Sequence, residues 1–542
     1  MKKAQVGLIV DDMVQAWNIH DLIQRSLSSE IYEIKCIVIQ KIKPKKYKNF
    51  FLLIQDYFFK LISLFERLLV RRFLSTEGFF KKYDLNSFGI NSIEVTPLIS
   101  DSGFIYRYSS NDLQEIKKQN LDLLIRGGSG ILKGEILNVC PEGIISFHHG
   151  DNDVNRGGPP AFWEVYQRED CTGFIIQILN EELDGGKVVF KGNIPTSFFY
   201  TLNKVRLYRK ANIFMHKILE DMFTNKEART YKKLPYDKPL YKLPNLRQQI
   251  RYLSMTLFYI LKKIFRKVLK KRITWNVAYQ FTDSWREVSF RKSKIIKNPT
   301  NGFIADPFLF KFKNKNFCFV EQYDFKTQKG HISVYEINDL EDKYIGTVLK
   351  DNFHFSYPYI FENNEEIYMC PETSEMKDIR LYRCLDFPLK WELEKTLIKD
   401  VSAVDSNIFE FNEKWWMLTN IDSSDSGEHC SELHLFYSSD LRANWKPHPL
   451  NPIIFDSKTA RNGGMILENG ELFRVYQRQG WDNYGEGFGV AKITNINEHE
   501  YSEERLFEVG AGAFDKAVGT HTFNSINGLV ATDFVTLSKK GN

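Results

Sequence analysis

Two groups of residues in this chain have types and spacings that suit proton transfer. The first lies between Ile144 and Val189. An apolar run ends at Phe147, and His148 and His149 stand where it opens into a polar loop. A second run, Thr172 to Leu179, leads into Glu-Glu-Leu-Asp-Gly-Gly at 181–186. A His and an Asp in loops at the carboxyl ends of parallel strands form a proton-transfer pair, with His148 as acid or base and Asp184 orienting it. Arg126, in the loop Arg-Gly-Gly-Ser-Gly, is a candidate substrate contact, as are His149, Arg156 and Gly157. The second group recurs in the C-terminal half. Asp306, Tyr357, Asp405, Arg461 and His521 each stand just before an apolar stretch, and Glu321 and Glu372, at second-strand ends, could also reach the funnel where these would meet. Asp306, Glu372 and Asp405 are what glycoside chemistry requires: an acid, a base or nucleophile, and a group that tunes pKa. Tyr357, Arg461 and His521 would add hydrogen bonds and charge for a sugar or phosphate.

The elements that must position these groups differ between the halves. Residues 5–10, a helix to about Ser29 and a strand from Ile34 to Ile39 make a β-α-β opening, which predicts a parallel sheet. No GxGxxG follows the first strand, so dinucleotide binding is not supported. The C-terminal half repeats. The stretches 307–323, 358–373, 406–421, 463–478 and 520–535 each read strand, polar turn, strand, which predicts a five-bladed β-propeller with its first strands around an axis. The domains are therefore 1–225, a basic linker and amphipathic helix at 226–275, and the propeller at 276–542. The helix at 246–272, and an apolar one at 50–73, suit either docking within the protein or peripheral contact with a membrane surface.

Bulk composition narrows the classes. With 542 residues, 43% hydrophobic and 26% charged, the chain is globular and multidomain. A net charge of +6 over this length does not by itself imply nucleic acid. Seven scattered Cys without a CxxC pair argue for a reducing compartment and against a zinc site, so no metal is expected. No apolar stretch suits a signal peptide or a membrane span, and a cytoplasmic location, with peripheral contact at the inner face of the membrane, is the expectation.

Residues 121–190 resemble the catalytic core of the folate-dependent formyltransferases. The matching positions are His148, Gly157 nine residues on, Thr172-Gly173, and Asp184 after a further 27. The family's catalytic Asn falls at Ser146. The resemblance implies a Rossmann-type α/β domain, 10-formyltetrahydrofolate as donor, and Ser146 as oxyanion donor. The C-terminal half resembles the five-bladed glycosidase superfamily. It looks closer still to the propeller of glucosamine inositolphosphorylceramide transferases, through Ala305–Phe308 (ADPF), His354–Pro358 (HFSYP) and Val404–Phe409 (VDSNIF). Together these imply formyl or related acyl transfer to an amino sugar in cell-surface polysaccharide or glycolipid biosynthesis, with a sugar nucleotide or lipid-linked sugar as substrate. The alternatives are glycosyl transfer or hydrolysis by the propeller, and carbohydrate binding without turnover.

Overall fold

The computed structural model describes residues 2–42, 50–71, 78–148, 150, 156–182, 186–224, 231, 240–269 and 271–539, with Arg156 and Lys539 as backbone only. The chain forms two compact units, Met1–Thr256 and Leu257–Asn542.

The first unit is built on seven strands: β1 (Ala4–Val10), β2 (Tyr32–Gln40), β3 (Asn91–Val95), β4 (Leu123–Arg126), β5 (Ile144–His148), β6 (Cys171–Ile178) and β7 (Lys187–Pro195), in the order β7-β6-β5-β4-β1-β2-β3. Strands β5, β4, β1, β2 and β3 are mutually parallel. Val6, Leu8, Ile9 and Val10 are wholly buried, as expected for a strand covered on both faces. Helix α3 (Ser110–Lys117) packs on β3, and helices α1 (Trp17–Ser28) and α5 (Tyr200–Phe223) pack on each other and against the sheet.

Strand β6 corrects one expectation. It runs antiparallel to β5, so its end at Ile178 pairs with Ile145 while His148 pairs with Ile175. The chain re-enters the sheet from the edge at which β5 leaves it, after the short α4 (Trp163–Gln167). The loop after β6 therefore starts from the opposite edge to His148, and Asp184 itself lies outside the described residues. Helix α2 (Phe50–Val70) buries Phe59, Ile62, Glu66 and Val70 but exposes Phe50, Phe51, Leu61, Leu64, Phe65 and Leu68. Helix α6 spans Leu246–Val268 rather than reaching residue 272. From Lys271 the chain is strand, where β-branched Ile273 and Thr274 pair with the C-terminal strand. No described helix is long and apolar enough to cross a membrane.

The second unit consists of five antiparallel sheets. Strand β8 (Lys271–Phe281) comes first in the chain and belongs to the last sheet. The first sheet holds β9 (Gly302–Phe312), β10 (Lys315–Asp324), β11 (Lys329–Ile337) and β12 (Asp342–Leu349); the second holds β13 (Ser356–Asn363), β14 (Glu366–Glu372), β15 (Asp378–Asp386) and β16 (Lys390–Lys399). The third is led by β17 (Ala403–Phe411), β18 (Lys414–Ile421) and β19 (Glu432–Ser438), and the fourth holds β20 (Asn462–Glu468), β21 (Glu471–Gly480), β22 (Asn483–Ile496) and β23 (Tyr501–Gly510). The fifth combines β8 with β24 (Ala517–Gly519), β25 (Phe523–Ile526) and β26 (Leu529–Lys539).

The leading strands touch in a closed cycle: β9 against β13, β13 against β17, β17 against β20, β20 against β25, and β25 against β9. Pairing of β8 with β26 joins the two ends of the unit within one sheet. Each leading hairpin turns on two residues with positive φ: Lys313-Asn314, Asn364-Glu365, Asn412-Glu413, Asn469-Gly470 and Asn527-Gly528. This is the turn whose twist matches the flanking strands, and it explains the recurring Asn.

Candidate functional site

The axial ends of the leading strands carry the most concentrated chemistry. Each of the first four is irregular near its start, between Ala305 and Phe308, Ser356 and Tyr359, Val404 and Asn407, and Asn462 and Gly464. At three of these bulges a non-glycine residue takes left-handed backbone: Asp306 (φ 48°), Tyr357 (φ 46°) and Asp405 (φ 51°). A bulge re-aims a side chain, and left-handed backbone in a non-glycine residue costs about 1–3 kcal/mol, a strain that gathers at functional sites.

Asp405 is buried, and its Oδ2 accepts from Arg461 Nε at 2.7 Å and from Gln477 Nε2 at 3.0 Å. Burial pushes its carboxyl up to about 6, with Arg461 pulling the other way. It is therefore ionised at neutral pH and close to its titration point. Asp306 is buried beside His521, whose Nε2 lies 3.4 Å from Asp306 Oδ1. The other imidazole nitrogen, Nδ1, is 2.7 Å from Asp533. Asp533 also accepts from the backbone N–H of Asp306, His521 and Thr522, each at 3.1 Å. Burial opposes the charge on His521, but Asp533, Asp306 and Asp405 outweigh it and raise its affinity for a proton. The same contacts hold Asp533 below the usual carboxylate range although burial raises it.

Asp306, His521 and Asp533 bring one ligand atom each within 4.8 Å of one another, the one such metal-sized group among the described residues. Both ring nitrogens of His521 face carboxylates, which raise its affinity for a proton, so the trio reads as an ion-paired triad.

Glu321, near the end of β10, is buried. Burial raises its pKa well above the ordinary range, and the fields of Asp306, Glu372, Asp533 and Asp405 raise it further. His354 Nδ1 accepts the Gly330 N–H at 2.9 Å, which leaves Nε2 as the donor toward Glu321 Oε1, 3.3 Å away. Glu372 occupies the same register in the next sheet: Ala305 pairs with Glu321 as Ser356 pairs with Glu372. It is half-buried and accepts from Ser374 Oγ at 2.7 Å. Trp275 stacks on His521 with centroids 4.1 Å apart, and Arg461 lies 4.9 Å over Tyr484, so two partly exposed rings flank the charged groups.

Asp306, Asp405, Arg461 and His521 thus converge, with Glu372 in electrostatic reach of both aspartates. Tyr357 has a different place from the substrate contact expected. Its side chain is wholly buried, its hydroxyl donates to Asn407 Oδ1 at 3.0 Å, and its backbone N–H donates to Asp306 Oδ2 at 3.2 Å. It positions Asp306. Glu321, like Glu372, stands where the second strand of its repeat led it to be expected. Asp533 was not among the candidates; its signal was its place opposite His521 in the fifth repeat.

In the first unit, Ser146 is buried on β5. Its hydroxyl donates to the Phe147 carbonyl at 3.1 Å and lies 3.4 Å from Arg126 Nη1. That hydrogen is directed to the main chain, so Ser146 does not present the donor that a formyl-folate carbonyl requires. His148 ends β5 half-buried. His149 and the Arg156 side chain lie outside the described residues. Gly157 (φ 98°) is fixed by packing, since a Cβ there would stand 2.0 Å from the Tyr241 carbonyl oxygen.

Comparison with known proteins places these features. Residues 288–529 match the family model described as glucosamine inositolphosphorylceramide transferase 1, N-terminal. The glucosamine inositolphosphorylceramide transferase 1 of Arabidopsis thaliana is 36% identical over 210 residues, 38% of this chain and 27% of that protein. The methionyl-tRNA formyltransferase of Ruminiclostridium cellulolyticum is 26% identical over 129 residues, 24% of this chain and 41% of that protein. Among solved structures, a phosphoribosylglycinamide formyltransferase from Anaplasma phagocytophilum is 14% identical and covers 41% of this chain and 89% of its own, with a TM-score of 0.29. The chain spans under a third of the Arabidopsis relative's length, and the segment that carries the axial cluster is the one similar to the N-terminal part of the glucosamine inositolphosphorylceramide transferases.

Proposed function

We propose that the second unit is a five-bladed propeller whose axial cluster performs glycosyl transfer. The observation that carries this reading is the contrast between two buried carboxyls: Glu321, whose hold on its proton is raised by burial and neighbouring acids, and Asp405, which accepts from the Arg461 guanidinium. Carboxyl groups driven apart in this way supply an acid and a base at one pH. Glu321 gives its proton to the oxygen of the leaving group as the glycosidic C–O bond breaks. Asp405 takes the proton of the acceptor hydroxyl as the new C–O bond forms. Burial pushes the Asp306 carboxyl up to about 7, so it titrates near neutral pH, and its ionised form stabilises positive charge developing on the sugar ring. Trp275 and Tyr484 offer the ring faces on which a sugar stacks.

Similarity to the transferases named above supports an amino sugar as the group moved and an inositolphosphoryl lipid as acceptor. The exposed apolar row of α2 is consistent with peripheral contact at a lipid surface. Formyl transfer to an amino sugar is the second reading, favoured by His148 at the end of a parallel strand. The deciding experiment supplies the full chain with nucleotide-activated amino sugars and an inositol phospholipid in vesicles, and separately with 10-formyltetrahydrofolate and free nucleotide-amino sugars. The expected product is a glycosylated lipid; a formylated sugar with no glycolipid would replace the first reading by the second.

A further inference from the structure

The second half of α6, from Leu257, belongs to the second unit and leaves one side bare. Apolar residues recur there at three- and four-residue spacing, as Leu257, Leu261, Ile264 and Val268, with Phe265 beside them. Each is more than half exposed. Lys262, Arg266 and Lys267 flank this row, and among the described residues no carboxylate pairs with any of them. No Asp or Glu occurs anywhere from Leu246 to Thr282.

The opposite side is already engaged. Tyr259 donates its hydroxyl to Asp482, and Lys263 Nζ lies 2.9 Å from the same carboxylate oxygen. Tyr259 also meets the Trp481 ring edge-on, with centroids 5.1 Å apart. Trp481 and Asp482 form the turn between β21 and β22. Two residues on, Tyr484 stands 4.9 Å from the Arg461 guanidinium and meets the His521 ring edge-on at 5.3 Å. At about 3.6 residues per turn, Tyr259 and Lys263 fall opposite Leu257, Leu261 and Val268. The polar side of α6 therefore grips a hairpin that flanks the axial cluster, and the apolar side is left to a partner.

We propose that α6 lays this apolar row into an anionic phospholipid surface, and that its grip on the β21–β22 hairpin holds the axial site beside that surface. An apolar stripe bordered by cations is what an interfacial helix requires: Leu and Phe enter the acyl boundary while Lys and Arg meet the phosphates. A second copy of the chain fits less well, because pairing the two rows would bring like-charged flanks together. Docking is independent of the axial chemistry; the role of the grip rests on the glycosyl-transfer reading.

The test is co-sedimentation of the full chain with phosphatidylcholine vesicles, with and without phosphatidylserine, in the absence of any sugar donor. The protein should pellet with the anionic vesicles, far less with the neutral ones, and be released as salt rises. Lys262→Gln/Lys267→Gln should weaken binding roughly thirtyfold, and Lys262→Arg/Lys267→Arg should retain it. Leu261→Gln/Phe265→Gln should weaken it by roughly tenfold or more. Both positions are exposed, and an unchanged melting temperature verifies the fold. Asp482→Asn should bind vesicles as the unmodified protein does but glycosylate vesicle lipid severalfold more slowly, with a water-soluble acceptor unaffected. Equal rates on both acceptors in that variant would overturn the role of the grip. Vesicle binding without any glycosylation of lipid would uphold the docking surface and count only against the chemistry of the axial site. No binding to anionic vesicles at low salt, binding unchanged in Leu261→Gln/Phe265→Gln, or a dimer in solution that this variant disperses would overturn the proposal.

Discussion

Glu321→Gln should abolish most glycosyl transfer, by roughly 10²–10⁴-fold in kcat, the range for loss of a general acid. It should leave folding intact at neutral pH. Glutamine has the shape of a protonated glutamate and keeps an acceptor for His354 Nε2, 3.3 Å away in the native protein. The prediction separates catalysis from scaffolding, because a merely structural Glu321 would lose stability and activity together. The check is kcat alongside the melting temperature of the same preparation. A donor with a much better leaving group should recover most of the loss, since it no longer needs a proton. An unaltered kcat would remove Glu321 from the reaction.

Arg461→Met should cost the fold on the order of 3–5 kcal/mol at pH 7, because it strands a buried charge on Asp405. The loss should depend on pH. Asp405 has its pKa raised from 3.8 to about 6 in the folded protein, so between these values the folded state keeps a proton that the unfolded state has lost. Stability from this group is present below about 4 and lost as pH rises through 6, roughly 3 kcal/mol in all at 1.36 kcal/mol per pKa unit. Removing Arg461 raises that pKa further and deepens the loss at neutral pH, whereas acid restores the neutral carboxyl and most of the stability. The double variant Asp405→Asn/Arg461→Met should recover more than half of the deficit. Denaturant unfolding from pH 4.5 to 8 measures all three proteins; a deficit independent of pH would mean that Arg461 acts through packing alone.

Much of the second unit was legible because its physics is local and repeated. A two-residue turn with both φ values positive demands Asn or Gly, and Asn364, Asn412, Asn469 and Asn527 mark four such turns in the sequence. The convergence of Asp306 and Asp405 followed from their shared register. What the repeats concealed was the partner of each acid. Asp533 meets His521 across a hairpin, and the proton affinity of Glu321 depends on burial and on four other carboxylates drawn from separate sheets. Tyr357 shared the register of the two aspartates, but its ring packs into the wall against Phe308, with centroids 4.8 Å apart. In the first unit, the parallel opening was plain from β1, α1 and β2, whereas the reversed direction of β6 was not. A buried run such as Phe174-Ile175-Ile176 is equally apolar in either direction.

The central claim is that the axial cluster keeps one carboxyl protonated beside an ionised one at neutral pH. Infrared difference spectroscopy of the full chain against Glu321→Gln at pH 7 reads this directly. The account predicts a protonated-carboxyl C=O band in the unmodified protein that the variant lacks, with the carboxylate bands unchanged. Loss of a carboxylate band in the variant, with no protonated-carboxyl signal in the native protein, would show that Glu321 is ionised and would contradict the account.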